Sequence, residues 1–285
     1  MLDRVGNRLV NPALIRLTPD MTKSDRDFLF RLLETPSPTG FEMPGQRVWA
    51  DWIKGHAQSV ECDAYGSTWA KLGGKSSRIV MLEAHADEIG YMIKHIDERG
   101  YLRLDRMGGS DAATARGRRI KILGDKGEVA GIIGNTAIHL RRDEHGSEKA
   151  PAVHDLWVDV GASNAQGVAK LGIRVGHPAV YQDSPMELAN NRIVGRALDN
   201  RIGGYIIAQV MKRIAALCTP DLPVMLCTNA MSSTTAPSGE TTSLSILPLF
   251  PYGWKSHTGR SQGPSPFWKV STGSPKSLGC PWRLI

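Results

Sequence analysis

Two short motifs hold the residues of this chain whose types and spacing could do chemistry. His85-Ala86-Asp87-Glu88 follows an apolar run at residues 78–84, and Asp199-Asn200 follows a second run at residues 192–198. If the first run is a strand, side chains two apart leave it on the same side, so His85 and Asp87 point together. That spacing suits a divalent metal: one imidazole nitrogen binds the ion while the carboxylate holds the other nitrogen and fixes the ring. The Asp199 carboxylate could bridge two such ions, one oxygen on each, as in half of a two-metal hydrolase site. Each motif also has a plainer reading. His85 and Asp87 could be a structural pair, and an Asp at a strand-to-helix junction is an ordinary N-cap.

The elements that must position these residues follow from periodicity. Phe28, Leu29, Leu32 and Leu33 recur at helical spacing and predict a helix over residues 23–33 that stops before Pro36-Ser37-Pro38-Thr39-Gly40. A second amphipathic helix is expected from near Pro44, with Val48, Trp52 and Ile53 inward. Extended segments follow at 58–63 and 68–72, and residues 78–84 read as a buried central strand. Between about residues 91 and 183, short β-like runs at turn-punctuated intervals predict a small barrel or sandwich inserted into an α/β domain. Strand character resumes at 192–198, and a helix carrying Ile202, Ile206, Val210, Ile214 and Leu217 on one stripe comes next. Both motifs therefore stand where strands give out, the place where open α/β sheets bind ligands.

From Cys218 onward half of the residues are Ser, Thr, Pro or Gly, a composition expected of a linker or a poorly folded tail. The 285 residues and 31.1 kDa suffice for one large domain or two moderate ones. A net charge of +7 would permit nucleic-acid binding, but acids are interleaved with most of the basic residues, so no nucleic-acid partner is expected. No apolar run reaches the ~20 residues that span a membrane, and no signal-peptide core is visible, so a soluble, cytoplasmic protein is expected. Cys62, Cys218, Cys227 and Cys280 lack zinc-ligand spacing and read as free thiols. The histidines outside the first motif, among them His95 and His177, lack paired spacing and read as surface or loop residues.

Several segments together resemble the tetrahedral and glutamyl aminopeptidases, a family of cocatalytic metallopeptidases that includes proteins labelled endoglucanases. Leu32-Leu33-Glu34-Thr35-Pro36-Ser37-Pro38-Thr39-Gly40-Phe41-Glu42 looks like the family's opening motif, and the stretch from Ala84 to Met92 like its first metal motif. Met107-Gly108-Gly109 and Val158-Asp159-Val160-Gly161-Ala162-Ser163 resemble landmarks of its inserted β domain, and residues 195–204 its bridging-aspartate motif. The resemblance implies an α/β metallopeptidase catalytic domain (1–91, resuming at 187–217) interrupted by a β-rich, barrel-like dimerisation domain (92–186). It further implies His85 as a metal ligand, Asp87 as the residue that orients it, and Asp199 as the carboxylate shared by two zinc or cobalt ions. The activity implied is release of N-terminal residues from short peptides by a homo-oligomer, dimeric or larger.

The chain departs from that pattern in its last part, residues 218–285. The family continues with two adjacent Glu residues, a general base and a metal ligand, and then with an Asp and a His ligand. Here the region around Asn229-Ala230-Met231-Ser232-Ser233 has no acid, and only Asp221, Glu240 and His257 follow Asp199, none in a matching context. Hydrolytic zinc sites use about three protein ligands per ion, so little or no peptidase activity is expected of this polypeptide. A change of reading frame near codon 218 would account for the shift, and a non-catalytic oligomer subunit is the alternative reading.

Overall fold

The computed structural model describes residues 21–137, 151–217, 223–229 and 241–245; for 241–245 only the backbone is described. Helix α1 (Lys23–Glu34) starts at Thr22, whose hydroxyl caps the Asp25 N–H, and buries Phe28, Leu29, Leu32 and Leu33. Helix α2 (Met43–Ile53) begins with a proline in its first turn and buries Val48, Trp49 and Ile53. Trp49, expected on neither face in particular, donates its indole N–H to the Gly204 carbonyl at 3.0 Å.

The main sheet has the order β1-β2-β12-β3-β13, with β1 (Ser59–Cys62), β2 (Thr68–Leu72), β3 (Ile79–His85), β12 (Val224–Asn229) and β13 (Thr241–Ser245). Strand β3 lies parallel to both β12 and β13, whereas β2 is antiparallel to β1 and β12. The tail expected to be poorly folded from residue 218 onward therefore contains β12, every residue of which is buried. Six residues, Val-Met-Leu-Cys-Thr-Asn, suffice for a central strand buried on both faces. Val224 and Leu226 join the core beneath α1, α2 and helix α5 (Leu198–Leu217), while Met225 and Cys227 form a small cluster with Met81 on the opposite face.

The β-rich insertion is a closed barrel of order β4-β5-β8-β7-β6-β9. Its strands are β4 (Gly90–Ile96), β5 (Leu102–Met107), β6 (Arg119–Gly124), β7 (Gly127–Gly134), β8 (Trp157–Asp159) and β9 (Pro178–Tyr181), with short helices α3 (Ala112–Ala115) and α4 (Ala165–Lys170) between them. Tyr91, Ile93, Leu102, Ile120, Ile122, Ile133 and Val158 are buried together as its core. His177 sits in the loop just before β9, as expected, but not at the surface. It is buried, its Nδ1 accepts from the Arg174 N–H at 3.2 Å, and its Nε2 lies 3.1 Å from Asp125.

The second strand predicted before the Asp199 motif is shorter than expected and lies outside the main sheet. Only Arg192–Val194 is extended (β11), in a two-stranded ladder with β10 (Met186–Leu188). Beyond it Gly195 packs against Pro185 and Ala197 takes the left-handed region (φ 63°), so the chain turns into α5 instead of continuing as a strand.

Among the described residues no helix is long and apolar enough to cross a membrane. Cys62 is exposed and Cys227 buried, both free thiols; Cys218 and Cys280 lie outside the described residues.

Candidate metal centre

Strand β3 brings His85 to its carboxyl end on the face opposite the helices, since Leu82 and Ala84 pack into the helix-side core and the strand alternates. The neighbouring strand β12 ends in register there, with Asn229 paired to His85 and accepting the Ala86 N–H at 2.9 Å. From the other side comes α5. Its first turn is interrupted at Asp199 (φ −91°, ψ 106°) and Asn200 (φ −121°, ψ 34°), so regular helix starts at Arg201.

The interruption settles which residue caps the helix. Asn200 Oδ1 accepts the Gly203 N–H at 3.2 Å, which leaves the Asp199 carboxylate, 60% exposed, turned toward His85. His85 Nε2 lies 3.2 Å from Asp199 Oδ1, and His85 Nδ1 lies 2.9 Å from Asp87 Oδ1. The imidazole thus sits between two carboxylates. The Nδ1 and Oδ1 atoms meet the distance of a hydrogen bond but not its alignment, and both are buried. Asp87 is itself held by Thr39, whose hydroxyl donates to Oδ2 at 2.7 Å.

Electrostatics follow the geometry. Contact with Asp87, then the field of both carboxylates, outweighs partial burial and raises the His85 pKa above the ordinary imidazole value. Burial by itself would raise Asp87, but the His85 and Thr39 contacts prevail and hold its carboxyl below the usual range. The Cys227 thiol two residues before the end of β12 is no competing nucleophile. Burial pushes its pKa up to about 12, and it donates to Asn229 Oδ1 at 2.7 Å.

Sequence reasoning missed the support beneath this pair. Glu88 does not continue the alternation of β3, because the strand ends at His85 and the chain turns inward. Its carboxylate is 2% exposed, accepts the Ser37 N–H at 2.8 Å and the Arg201 Nη2 at 3.1 Å, and pairs with Arg196. Arg201, given no role of its own in the sequence reading, is one of the largest fully buried side chains. It also donates to the carbonyls of Leu32 (2.6 Å), Ala86 (3.3 Å) and Thr35. Burial lowers its pKa to about 10, against the opposing pull of Glu88, so it remains a cation at neutral pH. The signal available in the sequence was charge alone: an Arg on the inward side of an amphipathic helix requires a buried partner.

A divalent ion fits these residues in part. His85 Nε2 and an Asp199 oxygen converge on one exposed point, with Asp87 behind the ring as its orienting carboxylate. Among the described residues no set of three His, Cys, Asp or Glu side chains converges as a metal site. Asp221, Glu240 and His257 lie outside the described residues.

The M42 glutamyl aminopeptidase family matches residues 66–229, which takes in the first motif, the whole barrel, Asp199 and strand β12. The match therefore passes the suggested break near position 218 and ends where β12 ends. A lysyl aminopeptidase from Pyrococcus furiosus is 31% identical over 67% of this chain and 55% of its own length. An aminopeptidase from the archaeon Desulfurococcus kamchatkensis shares the fold with a TM-score of 0.67 at 31% identity, over 73% of this chain and 56% of its own. The TET1 peptidase of Pyrococcus horikoshii, which can assemble into a tetrahedron or a large octahedral shell, superposes with a TM-score of 0.64 at 26% identity, over 72% of this chain and 61% of its own. This chain spans little more than half the length of the relatives it matches. Its motifs, its barrel inserted between two parts of an α/β layer and its match over most of the described residues make it a member of the M42 glutamyl aminopeptidase family.

Proposed function

We propose that this chain descends from metal-dependent aminopeptidases that release N-terminal residues from short peptides, and that as it stands its own hydrolysis is weak or absent. The observation that carries the reading is the convergence of His85 Nε2 and Asp199 Oδ1 at 3.2 Å, with Asp87 on the far nitrogen. These two residues would hold a divalent ion, zinc or cobalt, and Asp87 would fix the ring. The chemistry such an ion would supply there is polarisation of a peptide carbonyl and a lowered water pKa.

What this chain's residues can do is bind and orient. His85 offers one imidazole lone pair once deprotonated, and the exposed Asp199 carboxylate offers two oxygens. No adjacent Glu pair follows Asp199 in the sequence, so neither the base nor the further ligand that the resemblance implies is present. Loss of a general base alone costs about 10²-fold to 10⁴-fold in rate.

The barrel supports a homo-oligomeric partner of the same kind, and the alternative reading, a non-catalytic subunit that still associates through it, is favoured by the missing Glu pair. Neither a nucleic acid nor a membrane belongs to the proposal. The test is zinc and cobalt per folded chain, measured by elemental analysis after loading and gel filtration, for the native chain and Asp199→Ala. Close to two ions, lost in the variant, would show that other ligands complete the site and would be followed by hydrolysis assays on aminoacyl substrates. Fewer than one ion, in a chain that elutes as a dimer or larger, would replace the peptidase reading by the non-catalytic one.

A further inference from the structure

We propose that Glu88, clamped between Arg196 and Arg201, is a positioning residue that sets the separation of His85 and Asp199. The inference rests on the reading of that pair as a metal centre for its purpose, but its geometry is independent of any metal. Glu88 lies three residues after His85. Arg196 lies three residues before Asp199 and Arg201 two after it. One buried carboxylate therefore ties both flanks of the Asp199 turn to the chain that leaves the His85 strand. Arg201 adds a direct tie, donating to the carbonyl of Ala86, the residue next to His85, at 3.3 Å.

The cluster also explains how two guanidinium groups can be buried around one carboxylate. The last carbonyls of a helix lack intrahelical partners and carry partial negative charge. Arg201 accepts that role at the end of α1 by donating to Leu32 at 2.6 Å and to Thr35, and Arg196 donates to Glu34. The helix terminus thus balances the second cation. The opening loop is fastened to the same carboxylate by Ser37, and Glu88 returns its own N–H to the Ser37 carbonyl at 3.0 Å. Ser37 in turn leaves no room for a side chain at position 45, where a Cβ would lie 2.3 Å from its Oγ. Apolar residues of like volume would stabilise such a spot as well or better. What they would not do is fix two loops from different parts of the chain at hydrogen-bond accuracy.

The test separates positioning from plain stability. Glu88→Gln keeps the shape and an acceptor for Ser37 but removes the charge that holds the two arginines. Leu33→Ala, a fully buried residue of the same core, supplies a control that is destabilised while every charged side chain of the cluster is kept. In the metal-free chain, NMR cross-relaxation between the His85 ring protons and the Asp199 side chain should be visible in the native protein and in Leu33→Ala, and lost in Glu88→Gln. Cobalt affinity of the native chain, where it depends on Asp199, should fall about 10-fold to 100-fold in Glu88→Gln and stay within about twofold in Leu33→Ala. If Glu88→Gln does not fold, Arg196→Lys is read the same way and should show the same loss in weaker form. Cross-relaxation retained in the Glu88 or Arg196 variant, absent from the native chain, or lost equally in Leu33→Ala would overturn the proposal. Native protein that keeps the cross-relaxation but binds no cobalt through Asp199 would sink the metal reading while leaving the positioning role standing.

Discussion

The barrel and the α/β layer solve the same problem, satisfying polar backbone within a packed core, by opposite means. The barrel closes its six strands on themselves, so each ladder finds a partner and no strand edge is left open. Its interior is aliphatic and aromatic, with Tyr91 and Tyr181 bridged hydroxyl to hydroxyl at 2.7 Å at one end. The α/β layer covers one sheet face with α1, α2 and α5, and where β3 gives out it relies on buried charge. Glu88, Arg196 and Arg201 join segments that lie more than a hundred residues apart in sequence. The barrel's stability is therefore a matter of apolar packing and closed ladders, whereas the geometry of the His85–Asp199 pair depends on buried ionic contacts. Disturbing one should leave the other largely in place.

The strongest way to break that separation is Arg201→Met. The substitution leaves Glu88 short of a cation in a buried site and frees the carbonyls of Leu32 and Ala86, and removing one partner of a buried pair costs about 3–5 kcal/mol. In urea unfolding followed by indole NMR resonances, Trp49, which bonds to Gly204 beside the site, should lose its native signal at much lower denaturant than in the native chain. Trp157, in barrel strand β8, should hold its midpoint. Parallel loss of both signals would mean that the two regions form one cooperative unit and that the contrast has no energetic content.

The same contrast shows in what the sequence made legible. The insertion announced itself, as a barrel or sandwich, by short β-like runs between turns, and His85 with Asp87 could be paired from a spacing of two at a strand end. Asp199 was visible as the residue at a junction, though not that Asn200 would take the capping role from it. Strand β12 stayed hidden: its six residues are outvoted by the Ser, Thr, Pro and Gly around them when composition is averaged over the whole tail. Glu88 was missed because β3 ends at His85, and beyond a strand's end no period says which way a side chain turns. Arg201 was missed because a single buried cation leaves no period in the sequence; its partners are set by tertiary packing alone.

Inside the barrel a smaller effect is expected from Gly134→Ala. Gly134 faces Trp157 across the β7–β8 ladder, and an added Cβ would lie 2.2 Å from the indole ring. Because that ring also packs edge-on against Tyr101, with centroids 4.9 Å apart, it has little freedom to yield. Overpacking of this sort costs about 1–3 kcal/mol. The variant should lower the Trp157 midpoint and leave Trp49, and the His85–Asp199 cross-relaxation, unchanged. A shift of the Trp49 midpoint by the same amount would place the barrel's packing under the site after all.

The smallest expected effect compares one acid from each region. In the α/β layer Asp25 is nearly buried, and although burial would raise its pKa, hydrogen bonds from Lys212, Thr22 and Gln209 prevail and lower it. Its folded pKa therefore lies below the ordinary carboxylate value of about 3.9. The stability it contributes is complete above that value and is lost as pH falls through the folded pKa, because the unfolded chain binds the proton first. In the barrel Asp125 is also lowered, chiefly by Arg174 and further by His177, but it stands exposed to water, where such pairs are screened. Asp25→Asn should cost about 1.5 kcal/mol near neutral pH and should flatten the acid limb of the Trp49 unfolding midpoint below about pH 4. Asp125→Asn should leave the Trp157 midpoint nearly unmoved over the same range. Equal acid limbs for the two variants would show that burial, rather than the ionic contacts themselves, is irrelevant to the difference between the regions, and would remove charge placement as the feature that sets the α/β layer apart.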